Sequence, residues 1–95
     1  MITNKNDANK AAVLERLSAV RSALRKEPEN PAAMRALEQC DRLELAITQF
    51  HAEGLRFAAF TLLRTVFSQG TVFTDPVHLA TQNLKSALET AGYPH

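Results

Sequence analysis

From residue 27 to residue 31 the chain reads Glu27-Pro28-Glu29-Asn30-Pro31, and the reading of this stretch decides the fold. Pro28 cannot continue a helix, because its ring fixes φ and it has no N–H to donate. Asn30 followed by Pro31 is a helix N-cap followed by a proline at the first helical position, where a missing N–H costs nothing. One helix therefore stops just before this stretch and another starts at Pro31. A connection this short predicts two antiparallel neighbours.

Upstream, Val13, Leu17, Val20 and Leu24 recur at alternating steps of four and three, which sets them on one stripe of a helix running from about Ala8 to Lys26. Asp7 is the expected N-cap, residues 1–7 are expected to be a disordered polar segment, and residues 8–95 a single helical domain. Ala12, Ala19 and Ala23 form a small-residue flank that a second helix can approach. Arg25 and Lys26 fall in the last turn, where the helix dipole favours cations.

Downstream, the second helix is expected over about Pro31 to Glu53, with Ala36, Cys40, Leu43, Ile47 and Phe50 as its main apolar stripe. Met34, Leu37 and Leu45 lie outside that stripe, so this helix has two apolar directions. Gly54 marks a break or a kink, and the sequence leaves open whether helices two and three are separate or one rod kinked there. Helix three, Leu55 to about Ser68, carries the stripe Leu55, Ala59, Leu62, Val66, which Phe60, Leu63 and Phe67 broaden, with Phe57 farther round. A helix apolar over so much of its circumference is either central or meets a partner.

The stretch Gln69 to Thr74 reads as extended, with Val72 and Phe73 tucked over the end of the bundle. Asp75-Pro76 repeats the cap-plus-proline start, and the fourth helix continues to Ala91, with Gly92 as its stop. Val77, Ala80, Leu84, Ala87, Leu88 and Ala91 share its buried side, whereas Leu79 points outward. No segment repeats and no low-complexity tract occurs. The expected class is all-α: a small four-helix bundle made of an antiparallel helical hairpin plus two further helices.

The 95 residues carry a net charge of only +1, too little for a global field that attracts nucleic acid or an anionic membrane. The distribution is uneven: residues 1–27 carry +3 and residues 28–54 carry −3. The first two helices are thus complementary, and their pairing accounts for the split without any ligand. Cys40 is the only cysteine, so no internal disulfide can form; together with the polar opening Met1 to Asp7 this leads us to expect a cytoplasmic protein. The longest apolar stretch, Leu55 to Phe67, is interrupted by Arg56 and Arg64 and is shorter than the ~20 residues that span a bilayer, so no membrane partner is expected.

Motifs for catalysis are missing. Gly54, Gly70 and Gly92 stand alone, so there is no phosphate-cradling loop, and no nucleophile motif occurs, which argues against an enzyme. Glu44 and His51 share a side of helix two with Cys40 and Asp41 a turn below, and Asp75 precedes His78 by three residues. These are metal-ligating types, but the Glu-x-x-His pairs of two-carboxylate metal bundles do not occur, and no metal or cofactor is expected. Cys40, in the middle of an apolar stripe with no cation placed beside it by sequence, reads as a small core hydrophobe.

Two binding classes remain. The surplus of apolar groups over what one bundle core needs points to a protein–protein interaction module, a homodimer or an accessory subunit, with Met34, Leu37, Leu45, Phe57 and Phe60 as candidate interface residues. The alternative is a small DNA-binding or regulatory protein using Arg16, Arg21, Arg25, Lys26 and Lys85, with Thr81, Gln82 and Asn83 as types that can reach base edges.

Overall fold

Asn30 closes the first decision as the sequence implies: its Oδ1 accepts the Ala32 N–H at 3.0 Å and its carbonyl accepts the Ala33 N–H at 3.0 Å, so a helix starts at Pro31. A computed structural model of the chain describes residues 5–27, 30–49, 51–67 and 73–93. Within them lie four α-helices, α1 (Lys5–Arg25), α2 (Pro31–Gln49), α3 (Ala52–Phe67) and α4 (Asp75–Ala91), and no strand. The protein is an all-α bundle.

Several helix ends depart from the expected ones. The helix α1 already includes residues 5–7, so these do not belong to the expected disordered start, and Asp7 is inside the helix rather than capping it; residues 1–4 lie outside the described residues. α2 ends at Gln49, four residues before the expected Glu53. The break is at His51 and not at Gly54. His51 acts as the N-cap of α3: its carbonyl accepts the Leu55 N–H at 2.8 Å and its Nδ1 accepts the Gly54 N–H at 3.1 Å. Its own N–H reaches back to the Ala46 carbonyl at 3.1 Å, which closes α2. Helices two and three are therefore separate. Gly54 sits in the first turn of α3, where a Cβ would lie 3.1 Å from the imidazole nitrogen, so the missing side chain leaves room for the cap.

At α4 the N-cap is Thr74, one residue before the expected Asp75, which becomes the first residue of the helix. Thr74 makes no side-chain cap bond of its own. Instead its N–H and hydroxyl point at the Glu27 carboxylate at 3.3 and 3.4 Å, joining the start of α4 to the end of α1. Gly92 stops the helix as expected: its φ of 73° is left-handed, and the Tyr93 N–H returns to the Leu88 carbonyl at 2.9 Å.

α1 packs along α4 and α2 along α3, with α1 also against α2 and a slighter contact between α3 and α4. Among the described residues the backbones of the diagonal pairs do not approach one another, so the four helices form a ring in chain order around one core. Val13, Leu17, Val20 and Leu24 of α1 are buried, as are the α2 stripe from Ala36 to Ile47 and the α3 stripe from Leu55 to Val66. Phe73 is buried against the same core, while Val72, like Phe50, lies outside the described residues. The small flank of α1 is not used as expected: Ala12 and Ala19 stay exposed and only Ala23 is half-buried, because α1 meets α4 and α2 through its larger side chains.

Replacing Gly92 by alanine forces a Cβ into a left-handed residue, and we expect Gly92→Ala to lower stability by about 1 kcal/mol in urea unfolding. An unchanged midpoint would show that the αL stop contributes nothing to stability.

Candidate interaction surface

The α2 and α3 helices are joined with only two residues between them and pack along each other through small side chains. Ala46 and Ala58, both buried, line a depression between the two helices close to their connection. Leu45 stands on its α2 wall and Phe57 on its α3 wall. The resulting cleft has a volume of about 290 Å³. Gln39 lies at its floor, buried, with an Oε1 that has no hydrogen-bond partner among the described residues; Arg42 and His51 are exposed at its mouth.

Phe57 also lines a second hollow of about 460 Å³ on the adjoining flank of α3, together with Glu53, Arg56 and Phe60. Phe57 is 66% exposed, Leu45 55% and Phe60 53%, so three large apolar side chains of one neighbourhood face solvent although the core is closed without them. Met34 is also exposed, but it lies eleven residues before Leu45, roughly 16 Å along the same side of α2, and does not line the cleft. Leu37, expected with this group, is instead half-buried and packed against the core. Phe67 lies beside the His78 ring, centroids 5.9 Å apart, and Leu79 is exposed on α4 as expected.

The basic residues are dispersed. Arg16 and Arg25 are exposed on α1, Lys26 in the turn after it and Lys85 on α4, but Arg21 turns to α2, where it meets Glu44 at 2.5 Å, Asp41 at 3.0 Å and the Cys40 carbonyl at 3.4 Å. Burial works against the Arg21 charge, yet the hydrogen bonds and negative charges of Glu44 and Asp41 outweigh it and hold its pKa above the ordinary value. Arg21 is thereby engaged within the bundle, not displayed. Thr81 is buried with its hydroxyl donating to the Val77 carbonyl at 2.7 Å, so it is not on a groove-reading face.

The same pairing disperses the metal-ligating types of α2. Glu44 and Asp41 face Arg21 while His51 caps α3, and among the described residues no three His, Cys, Asp or Glu side chains come together. Cys40 is fully buried and, contrary to the sequence expectation, does have a cation nearby. Its thiol is nevertheless pushed up to about 12, because burial, with Asp41 adding to it, outweighs the attraction of Arg21 for a thiolate. Among the described residues no helix is long and apolar enough to cross a membrane.

No protein-family model matches the chain, and no curated protein or solved structure matches it.

The Cys40 environment is testable. Because the folded-state pKa lies above the ordinary 9.0, the stability tied to the neutral thiol is fully present below pH 9 and is lost as pH rises toward 12. The stability gap between the native protein and a Cys40→Ala variant should shrink across that window. Below it, Cys40 should resist a thiol-reactive disulfide reagent until the chain is unfolded; rapid labelling of the folded protein would contradict its burial.

Proposed function

We propose that this chain is a small, non-catalytic helical interaction module, a homodimer or an accessory subunit docked on another protein, that binds through the α2–α3 face around Leu45, Phe57 and Phe60. The observation that carries the reading is the exposure of Phe57 and Leu45 on opposite walls of one cleft while the four helical stripes already fill the core. Covering side chains of this size gains roughly 1.5–3 kcal/mol each, and interface centres are enriched in aromatic residues. Met34 extends the same side of α2 toward its start and belongs to the periphery of the face. Engagement of Arg21 by Asp41 and Glu44 leaves the competing nucleic-acid reading with a thinner basic surface. A cytoplasmic setting fits a chain whose one cysteine is a buried thiol.

The test is a photo-crosslinking residue placed at position 57 in the native host, with position 82 on the exposed side of α4 as control. Position 57 should yield a defined covalent adduct and position 82 none. Phe57→Glu should leave thermal stability within about 0.5 kcal/mol, since the ring is exposed in the folded chain, and should abolish adducts formed from position 60. Equal labelling at 57 and 82 would remove the α2–α3 face as a docking surface.

A further inference from the structure

The cleft between α2 and α3 combines an apolar lining with two polar groups that have no partner. Leu45, Ala46, Phe57 and Ala58 supply the apolar lining. The volume of about 290 Å³ stands at the lower end of small-molecule sites, which run from roughly 300 to 1,000 Å³. A dry cavity of about 150 Å³ already holds one benzene ring, so a ring with a short side chain suits this space. Gln39, only 7% exposed, is on the floor, and its Oε1 has no hydrogen-bond partner among the described residues. A buried acceptor without a donor is unfavourable, and a half-turn about the last, two-fold torsion of the side chain presents that oxygen to the cleft. Three residues on, a rise of about 4.5 Å along α2, Arg42 is exposed at the mouth and makes no ion pair among the described residues. Among the described residues no Asp or Glu lines the cleft, so nothing there neutralises the guanidinium.

We propose that this cleft binds a free aromatic carboxylate that carries an O–H or N–H donor on its ring. The ring lies between Leu45 and Phe57, where an offset or edge-to-face contact with the Phe57 ring adds to its burial. Its donor is accepted by Gln39 Oε1 and its carboxylate is held by Arg42, whose planar fork matches two carboxylate oxygens. Each part of the ligand answers one feature of the cleft. A cation finds no carboxylate in the lining, a neutral hydrocarbon leaves both polar groups unanswered, and an acid without a ring donor still leaves Oε1 unmatched. A dinucleotide or a long acyl chain exceeds the space. The site goes beyond the interaction-module reading and does not depend on it.

Titration of the purified full chain with 4-hydroxyphenylacetate, followed by heteronuclear NMR, tests this. A ligand of this size should bind with a Kd of about 0.1–1 mM, shifting the Gln39 side-chain amide and the backbone amides of Ala46 and Ala58. Phenylacetate, which lacks the donor, and 4-hydroxyphenylacetamide, which lacks the charge, should each bind about threefold to tenfold more weakly. Gln39→Leu should lose the preference for the phenol over the unsubstituted ring, and Arg42→Gln the preference for the acid over the amide. Ala58→Leu should fill the cleft and abolish binding. Arg42 is exposed, so Arg42→Gln keeps the fold and remains informative even if a floor variant unfolds. Absence of any shift at about 10 mM ligand overturns the proposal. So do shifts that map away from the cleft, equal affinity of wild type for all three compounds, or a preference for the acid that survives in Arg42→Gln. Ligand binding without an adduct from position 57 supports the cleft and removes the docking face; an adduct without ligand binding removes the cleft and leaves the interaction module standing.

Discussion

In a ring of four helices around one core, each helix meets its neighbours and the core over a limited arc, and side chains outside that arc face water. For α1 and α4 this geometry suits the sequence, because their large apolar residues other than Leu79 fall within or beside the buried arc. For α3 it does not. Leu55, Ala59, Leu62 and Val66 supply the core, Ala58 supplies the α2 contact, and nothing is left inside the ring to receive Phe57 or Phe60. The mismatch between the apolar circumference of this one helix and the arc its neighbours can cover leaves Phe57 and Phe60 facing water.

Small residues sharpen the mismatch into a shape. Leucines at positions 46 and 58 would put larger side chains into the space between Leu45 and Phe57. As alanines they leave a cleft that Leu45 and Phe57 also line. The local chain direction helps: His51 caps α3 immediately after α2 closes, so the two helices fold back within two residues and their exposed groups share one neighbourhood.

Polar groups in the bundle serve mainly its assembly. Arg21 crosses from α1 to Asp41 and Glu44 of α2, and Glu27 at the end of α1 holds the start of α4 at Thr74. The carboxylates facing Arg21 remain partly solvated, so the contribution of these pairs to stability is modest. Their consequence is register: they align the basic first helix with the acidic second one and remove Arg21 from the outward-facing cations.

Periodicity and punctuation by themselves determined the four helices, the buried stripe of each and the stops at residues 28–31 and Gly92, because those depend on backbone sterics and a 3.6-residue repeat that every turn of the chain expresses locally. The same reasoning placed the second break at Gly54 rather than His51, since an imidazole acting as a cap leaves no strong mark in sequence, whereas a glycine does. It grouped Leu37 with Met34 and Leu45, yet Leu37 turns toward the core; which flank of a broad apolar helix is covered depends on where its neighbour lies. Tertiary structure alone decided that Arg21 would meet two carboxylates, that Thr81 would be buried, and that Phe57 and Leu45 would stand on either side of a cleft, because each of these is a relation between helices that are brought together only when the ring closes.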